Sequence, residues 1–564
     1  MKTEVKCNRL PGLLQYNWIL LVILIVMLPS IYWIGSDHHI WPWDQAWYGE
    51  VSVDLWFKLT QRFSEWWPAM VAAFNIKAPG VAWIGQFFTP LGQAMGSIEA
   101  GLLCSLIATQ IGTLLFAWKI ADEIAPKKGL VACASVLIFA SAPLFVAMSH
   151  QYVTEPLQLF GVTYFYFLAT RGYRMPRVLL LGNLMIAASI ALLAKATSPI
   201  YCVLPGLIAT CALFQKRDAK NKASGMEVFW EWFCLSSGLA LCALCGKWYA
   251  VNIEGVREQV KLAMSLEVTV HYGRAGTFFQ KLPIWFAALQ CSFGMPWVII
   301  GVLILCGVGI AASRIRARGI VQPCDAGRAP LNLLAIASVI HILWVISLCA
   351  MNYNEENRYL LPLLPAVAII YLWFIAKIRF PWLLAGIVAL FSYQWVVVCV
   401  QALGFSHADP RISYWVIPFD RNRTMARELA RIVHRTSNAN TNLRYSIVGM
   451  ELPWLNANSF SFFAAKQELK SGVRCYCTSL SYGAKEMDLE WKRFNEIKPE
   501  YFISLEESVQ PPPNFLNELS IPVLKRIRDD ADFIQEPYAS KFGVVLFRRN
   551  HQKTEATTPG SPVQ

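Results

Sequence analysis

Apolar residues in this chain fall in runs of about 20, separated by short clusters of Lys and Arg. A helix rises about 1.5 Å per residue, so such a run crosses a hydrocarbon core of roughly 30 Å. The pattern predicts transmembrane helices at 16–35, 97–120, 130–148, 153–170, 178–195, 199–215, 228–248, 284–311, 331–350, 359–377 and 381–402, about eleven in all. The first run follows Lys2, Lys6 and Arg9, but it is long, has aromatic flanks and lacks a small-residue cleavage site. It reads as an uncleaved helix rather than a signal peptide.

Two long loops interrupt the pattern, at 36–96 and 249–283. The first ends in an apolar stretch near 79–95 that holds Pro79, Gly80, Gly85, Pro90 and Gly92. This predicts a surface-lying or re-entrant helix rather than a span. After about residue 403 the runs shorten. An amphipathic helix is predicted at 420–435 on Met425, Leu429, Ile432 and Val433, with strands at 445–448, 501–505 and 543–547. The expected fold is a polytopic all-α membrane domain over residues 1–402, a small extracytoplasmic α/β domain over 403–552, and a disordered tail over 553–564.

Composition sharpens this picture. Hydrophobic residues make up 55% and charged residues 15%, against about 25% charged in ordinary soluble domains. The net charge of +13 raises nucleic acid as a partner, but the basic residues sit in the short loops that set topology, which argues against it. One set of loops carries Lys119/Lys127/Lys128, Arg171/Arg174/Arg177, Lys216/Arg217/Lys220/Lys222, Arg314/Arg316/Arg318/Arg328 and Lys377/Arg379. The opposite loops are longer in total yet carry fewer. The positive-inside rule then places the N-terminus in the cytoplasm and, after an odd number of spans, the C-terminal domain outside. Most of the 15 cysteines lie in apolar runs, where they act as small hydrophobes. Cys475 and Cys477 are poorly spaced for an ordinary disulfide and too few for zinc; they read as structural or, alternatively, as a strained redox pair. No Gly-rich phosphate loop is present.

Candidate chemistry gathers on the predicted outer face. Asp44 lies in Trp43-Asp44-Gln45-Ala46-Trp47-Tyr48-Gly49-Glu50, where it reads as a general base or, more simply, as a helix cap. Lys77 precedes Pro79 and suits a lipid phosphate or an ordinary headgroup. Glu155 opens the fourth span before Pro156; a carboxylate there needs solvent, a partner or a metal. Lys195 lies in the turn Lys195-Ala196-Thr197-Ser198-Pro199, and Arg358 opens Arg358-Tyr359-Leu360-Leu361-Pro362. Pro296-Trp297 lies early in the eighth span. His341, in mid-span, reads as a hydrogen-bonded packing residue. Two acids and three bases from distant segments, all on one face, suit a reaction that moves a group off an anionic lipid phosphate.

In their order these motifs resemble the polyprenyl-phosphate-dependent glycosyltransferases of the GT-C superfamily, in the bacterial branch related to protein O-mannosyltransferases and the lipid A aminoarabinose transferase. The resemblance covers roughly residues 16–402. It departs at Gln45, where the family often has Glu, at Trp47, where the aminoarabinose branch has Arg, and at Glu155, which is commonly Asp. The resemblance implies an inverting single displacement. A polyprenyl-phosphate-linked sugar would be the donor, and a lipid, glycan or protein hydroxyl the acceptor, at the outer face of a bacterial plasma membrane. It implies Asp44 as general base, with Lys77, Arg358 and Lys195 on the donor phosphate and Tyr48 and Tyr359 positioning substrate. Glu155 would hold the acceptor or join Asp44 on a divalent metal cation, which some relatives use and others do not. The main alternative is a secondary transporter or lipid flippase, a class that carries ionisable residues at the midplane and internal repeats. A non-catalytic receptor is the third reading. The chain shows no convincing repeat.

Overall fold

The computed structural model describes residues 12–126, 128–215, 225–265, 273, 276–317, 328–352, 354–406, 420–437, 445–480, 485–512 and 514–551. The tail 553–564, the basic residues Lys2, Lys6, Arg9, Lys127, Lys216, Arg217, Lys220, Lys222 and Arg318, and much of 265–277 lie outside them. The chain divides into two compact units. One comprises Met1–Gly35, Trp67–Ile84 and Glu99–Phe419; the other comprises Ser36–Trp66, Gly85–Ile98 and Asp420–Gln564.

The first unit is helical and marks an integral membrane protein. Among the described residues eight helices are long and apolar enough to cross a bilayer: Trp18–Ser36, Ile98–Ile124, Arg177–Ala194, Gly225–Ala263, Pro296–Ser313, Leu331–Met351, Asn357–Ile375 and Pro381–Ala402. A pair bent by 64°, Gly129–Ala140 with Pro143–Ser149, makes a ninth if it is one span. The expected spans at 153–170 and 199–215 are the helices Glu155–Arg171 and Ser198–Phe214, of 17 residues each. That length falls at the lower limit for a crossing.

Three expectations change. The span expected at 284–311 is two helices, Phe278–Phe293 and Pro296–Ala317, broken at Gly294. The loop expected at 249–283 is helical through Met264, because the Gly225–Met264 helix runs for 40 residues. At about 1.5 Å per residue that is roughly twice the hydrocarbon thickness. The apolar stretch at 79–95 is three short pieces, Gly80–Gly85, Gln86–Phe88 and Thr89–Met95.

Small residues let the helices of this unit approach closely. A Cβ on Gly182 would come within 2.6 Å of the Cys234–Leu235 backbone, and one on Gly238 within 2.7 Å of the Gly182 carbonyl. Such contacts replace the hydrophobic driving force that lipid cannot supply. The C-terminal half of the long helix grips the segment before Lys77. Trp248 Nε1 donates to Ala73 O at 3.1 Å, and Asn252 Nδ2 donates to Val71 O at 2.9 Å.

The second unit holds a five-stranded sheet in the order β2-β1-β3-β5-β4. Its strands are β1 Tyr445–Val448, β2 Tyr476–Ser479, β3 Tyr501–Leu505, β4 Phe533–Gln535 and β5 Val544–Arg549. β1 runs parallel to β2 and β3; β5 is antiparallel to β3 and β4. The expected strands at 445–448 and 501–505 are β1 and β3, and the one at 543–547 is β5. The expected helix at 420–435 is Thr424–Ser437. Ile447, Phe494, Phe502, Val523, Leu524, Ile527 and Phe547 form the core.

Residues 36–66 belong to this same unit, although the sequence suggested that the α/β domain starts near 403. Trp41 stacks on Phe462 with centroids 5.2 Å apart, and Ser459 Oγ donates to Trp41 O at 2.7 Å. Asp420 N donates to Asp37 Oδ1 at 2.8 Å.

Candidate active site

Glu155 starts the helix Glu155–Arg171 with Pro156 next to it, where a missing N–H costs nothing. Its carboxylate is 1% exposed. Charge at that depth persists only when paired, and two cations pair with it. Lys195 Nζ lies 2.7 Å from Glu155 Oε1, and Arg358 Nε lies 3.5 Å from the same oxygen.

The two cations are delivered by breaks between helices. Lys195 follows the end of Arg177–Ala194 in extended backbone (φ −159°, ψ 137°), just before the helix Ser198–Phe214. Ser198 N donates to Lys195 O at 3.0 Å, which closes the turn. Arg358 lies in the 3-10 turn Asn357–Leu363. Glu356 Oε2 accepts from Arg358 Nε at 2.5 Å. Tyr359 lies beneath both cations: Lys195 Nζ is 4.3 Å and Arg358 Cζ 5.8 Å from its ring centroid. Tyr201 OH donates to Tyr359 O at 2.7 Å and fixes that turn from below.

Lys77 belongs to the same unit and follows a strained turn. Phe74 and Asn75 have φ of 64° and 48°, and Ile76 N donates to Phe74 O at 2.6 Å. Gly80, three residues on, lies so close to Leu193 O and Leu157 that a Cβ there would approach them to 2.6 Å and 3.0 Å. The Lys77–Gly80 segment therefore rests on the ends of the two helices that carry Lys195 and Glu155.

Asp44 and Tyr48 lie in the second unit, on the helix Trp43–Gln61. The cap position is Pro42, with no side-chain cap bond, so Asp44 sits in the first turn and is not the N-cap. Tyr48 is buried, at 5% exposure. Trp297, expected near the site, is 45% exposed and packs edge-on against Tyr393. His341 is fully buried, with Nδ1 2.9 Å from Tyr166 OH, a packing environment.

Sequence reading missed several participants. Glu356 sits two residues from Arg358, and nothing in composition separates it from a loop acid. Lys281 is buried and donates to Asn352 O at 3.0 Å in the segment leading to Arg358. Its position inside an expected loop hid it. Glu451 and Arg474 of the second unit were missed because their partners lie more than 400 residues away.

A divalent cation was expected as an option on Asp44 and Glu155. No cluster of three or more His, Cys, Asp or Glu suited to a metal occurs among the described residues. Glu155 Oε1 already faces an ammonium and a guanidinium, and two carboxylates alone fall short of the oxygen ligands that a divalent ion takes.

The chain shares its fold with solved structures of ArnT and of an arabinofuranosyltransferase. It is similar to ArnT from Cupriavidus metallidurans in the apo state, with 12% identity and a TM-score of 0.55 over 94% of this chain and 97% of that one. ArnT bound to undecaprenyl phosphate matches with 13% identity and a TM-score of 0.52, covering 97% and 99%. A mycobacterial arabinofuranosyltransferase, AftD, matches at 12% identity and a TM-score of 0.51 over 94% of this chain and 40% of that one. No protein-family model matches the sequence, and no curated protein sequence matches it.

Proposed function

We propose that this protein transfers a sugar from a polyprenyl-phosphate-linked donor to an acceptor hydroxyl at the extracytoplasmic membrane face. The observation that carries the reading is the cluster of Lys195 and Arg358 on the buried Glu155. The fold shared with ArnT, which has been seen bound to undecaprenyl phosphate, supports it.

Inverting transfer develops negative charge on the leaving phosphate as the anomeric C–O bond breaks. Preorganised cations stabilise that charge without reorganising. In this reading Lys195 and Arg358 receive the phosphate, and Arg358 offers a two-pronged grip. Lys77 is a third cation for it. Glu155 holds Lys195 and Arg358 in place rather than acting as an acid. Tyr359 orients the cations through its ring. Asp44 takes the proton of the acceptor hydroxyl as it attacks. Tyr48, one turn further on, holds the Asp44 helix in its core.

The test uses purified protein in lipid nanodiscs with a panel of synthetic undecaprenyl-phosphate-linked pentoses and hexoses, beside a transport assay in sealed vesicles. Transfer by the parent chain is expected. Arg358→Ala and Lys195→Ala should each lower kcat/KM roughly tenfold to a hundredfold, the worth of one charge-assisted hydrogen bond. Movement of lipid or sugar across vesicles with no transfer would replace this reading with the transporter one.

A further inference from the structure

Asp44 lies in the second unit, whose sheet-bearing part grips the stretch of chain around it. We infer that Glu451 is a positioning residue for Asp44, acting through Trp43. This rests on the assignment of Asp44 as general base.

Trp43 is the first residue of the helix Trp43–Gln61 and directly precedes Asp44. Its φ is 33°, in the left-handed region that an L side chain rarely adopts. Such a residue keeps its conformation only when its surroundings over-determine it, and strain of this kind clusters at functional sites. Pro42 before it is extended (φ −84°, ψ 155°) and offers no side-chain cap. The hold on Trp43 comes from its side chain: Nε1 donates to Glu451 Oε2 at 3.0 Å.

Glu451 is itself fixed. It follows β1 by three residues, at the carboxyl end of the parallel strands β2, β1 and β3, where the order of strands reverses. Open α/β sheets bind their ligands at that place; here Glu451 accepts from Trp43, which is 36% exposed. Asn517 clamps the Glu451 backbone from both sides: Glu451 N donates to Asn517 Oδ1 at 2.8 Å, and Asn517 Nδ2 donates to Glu451 O at 3.3 Å. The backbone that carries the acceptor for Trp43 is therefore held by Asn517.

Other grips flank this one. Upstream, Trp41 stacks on Phe462. Downstream, Gly49 packs so tightly on Phe462 that a Cβ would approach it to 2.9 Å. At the next residue Arg474 ion-pairs with Glu50 at 2.5 Å, and about one turn further on with Asp54. These contacts fix the helix along its length. The Glu451–Trp43 bond fixes the turn that aims Asp44. A general base misplaced by about 1 Å can lose roughly a hundredfold in rate.

The test uses the full chain in nanodiscs and whichever undecaprenyl-phosphate-linked sugar the parent turns over. The variants are Trp43→Phe, Glu451→Ala, their double, Glu451→Gln and Asp44→Asn. Trp43→Phe and Glu451→Ala should each lower kcat about tenfold to a hundredfold. KM for the donor and binding of undecaprenyl phosphate should stay at parent values, because the donor cations are untouched. The double variant should be no worse than either single one. Glu451→Gln keeps an acceptor oxygen and should restore most of the rate. If Glu451→Ala fails to fold, Trp43→Phe and Glu451→Gln carry the comparison. Parent-level kcat in Trp43→Phe and Glu451→Ala, with Asp44→Asn inactive, overturns the positioning role alone. Parent-level kcat in Asp44→Asn overturns the base assignment, and this inference with it. Additive losses in the double variant, or a Glu451→Gln as slow as Glu451→Ala, overturn the bond as the device.

Discussion

At the scale of single residues, buried carboxylates of this chain are held by named partners. Glu155 is the sharpest case, since one carboxylate oxygen faces both Lys195 and Arg358. Removing one member of a buried ion pair costs about 3–5 kcal/mol, because the charge left behind has no compensation. Glu155→Gln should therefore lower the unfolding temperature in detergent and weaken binding of undecaprenyl phosphate together. A variant that binds the lipid normally and melts like the parent would remove Glu155 from the anchor. Glu451 behaves differently. Burial raises its pKa to about 7, against the pull of the Trp43 and Ser479 hydrogen bonds. A carboxyl raised above its unfolded value stabilises the fold fully below about 4.5 and loses that contribution as pH rises through about 7. The α/β unit should accordingly melt at a lower temperature at pH 8 than at pH 5, and Glu451→Gln should shrink that difference. An unchanged difference would assign the titration elsewhere. Glu50, also raised to about 7 by burial and by Asp54 against the attraction of Arg474, adds to the same trend.

At the scale of elements, one buried side chain explains how two broken helices coexist with a membrane. Gln394, fully buried, accepts from Met295 N at 2.9 Å and donates to Ser141 O at 3.0 Å and Phe293 O at 3.2 Å. These are the backbone groups freed at the Gly294 break and at the bend after Ala140. Irregular backbone at such depth requires partners of this kind. Gln394→Leu keeps the volume and strips the partners, and each group left unsatisfied costs about 1–3 kcal/mol. A marked fall in the detergent melting temperature is expected; an unchanged value would mean that the breaks satisfy themselves. The same residue shows why the Gly294 break was not legible in the sequence. Hydropathy is high on both sides of it, and the side chain that permits it lies 99 residues away. The legible elements were those whose signal is local. Tyr445–Val448 and Tyr501–Leu505 were found because central strands are short apolar runs. Tyr476–Ser479 and Phe533–Gln535 were missed because strands at a sheet's edge carry polar residues. The site divides likewise. The types of Glu155, Lys195 and Arg358 and their shared side of the membrane could be read from motifs and charge alternation. Their convergence on one carboxylate oxygen is a tertiary fact that no spacing encodes.

At the scale of the whole molecule, the composition of the two units constrains how often the chain crosses the membrane. Ser36–Trp66 and Asp420–Gln564 belong to one compact unit, which predicts that both lie on one side of a bilayer. The number of crossings between them must be even. Of the eight helices long and apolar enough to cross, one precedes residue 37 and seven follow residue 97. Seven is odd, so if all seven cross, an odd number of further segments is expected to cross as well; among the described residues the sequence offers the bent pair at Gly129–Ser149, the Glu155–Arg171 helix and the Ser198–Phe214 helix. If all three cross, the charge alternation along the loops is also satisfied, with Lys119, Arg171, Arg174, Lys377 and Arg379 on one side. The sheet of the second unit and the Asp44 helix are then expected on the other side, away from the cytoplasm. Alkaline phosphatase fused after Gln61 or after His551 should be active in each case, and fusion at Arg318 should be inactive. A fluorescent protein that matures only in the cytoplasm should give the reverse pattern. Opposite compartments for Gln61 and His551 would break the parity argument and with it the pairing of Trp43 with Glu451. One shared but cytoplasmic compartment would keep the parity and invert the charge rule, which would place Asp44 on the wrong face for an extracytoplasmic acceptor.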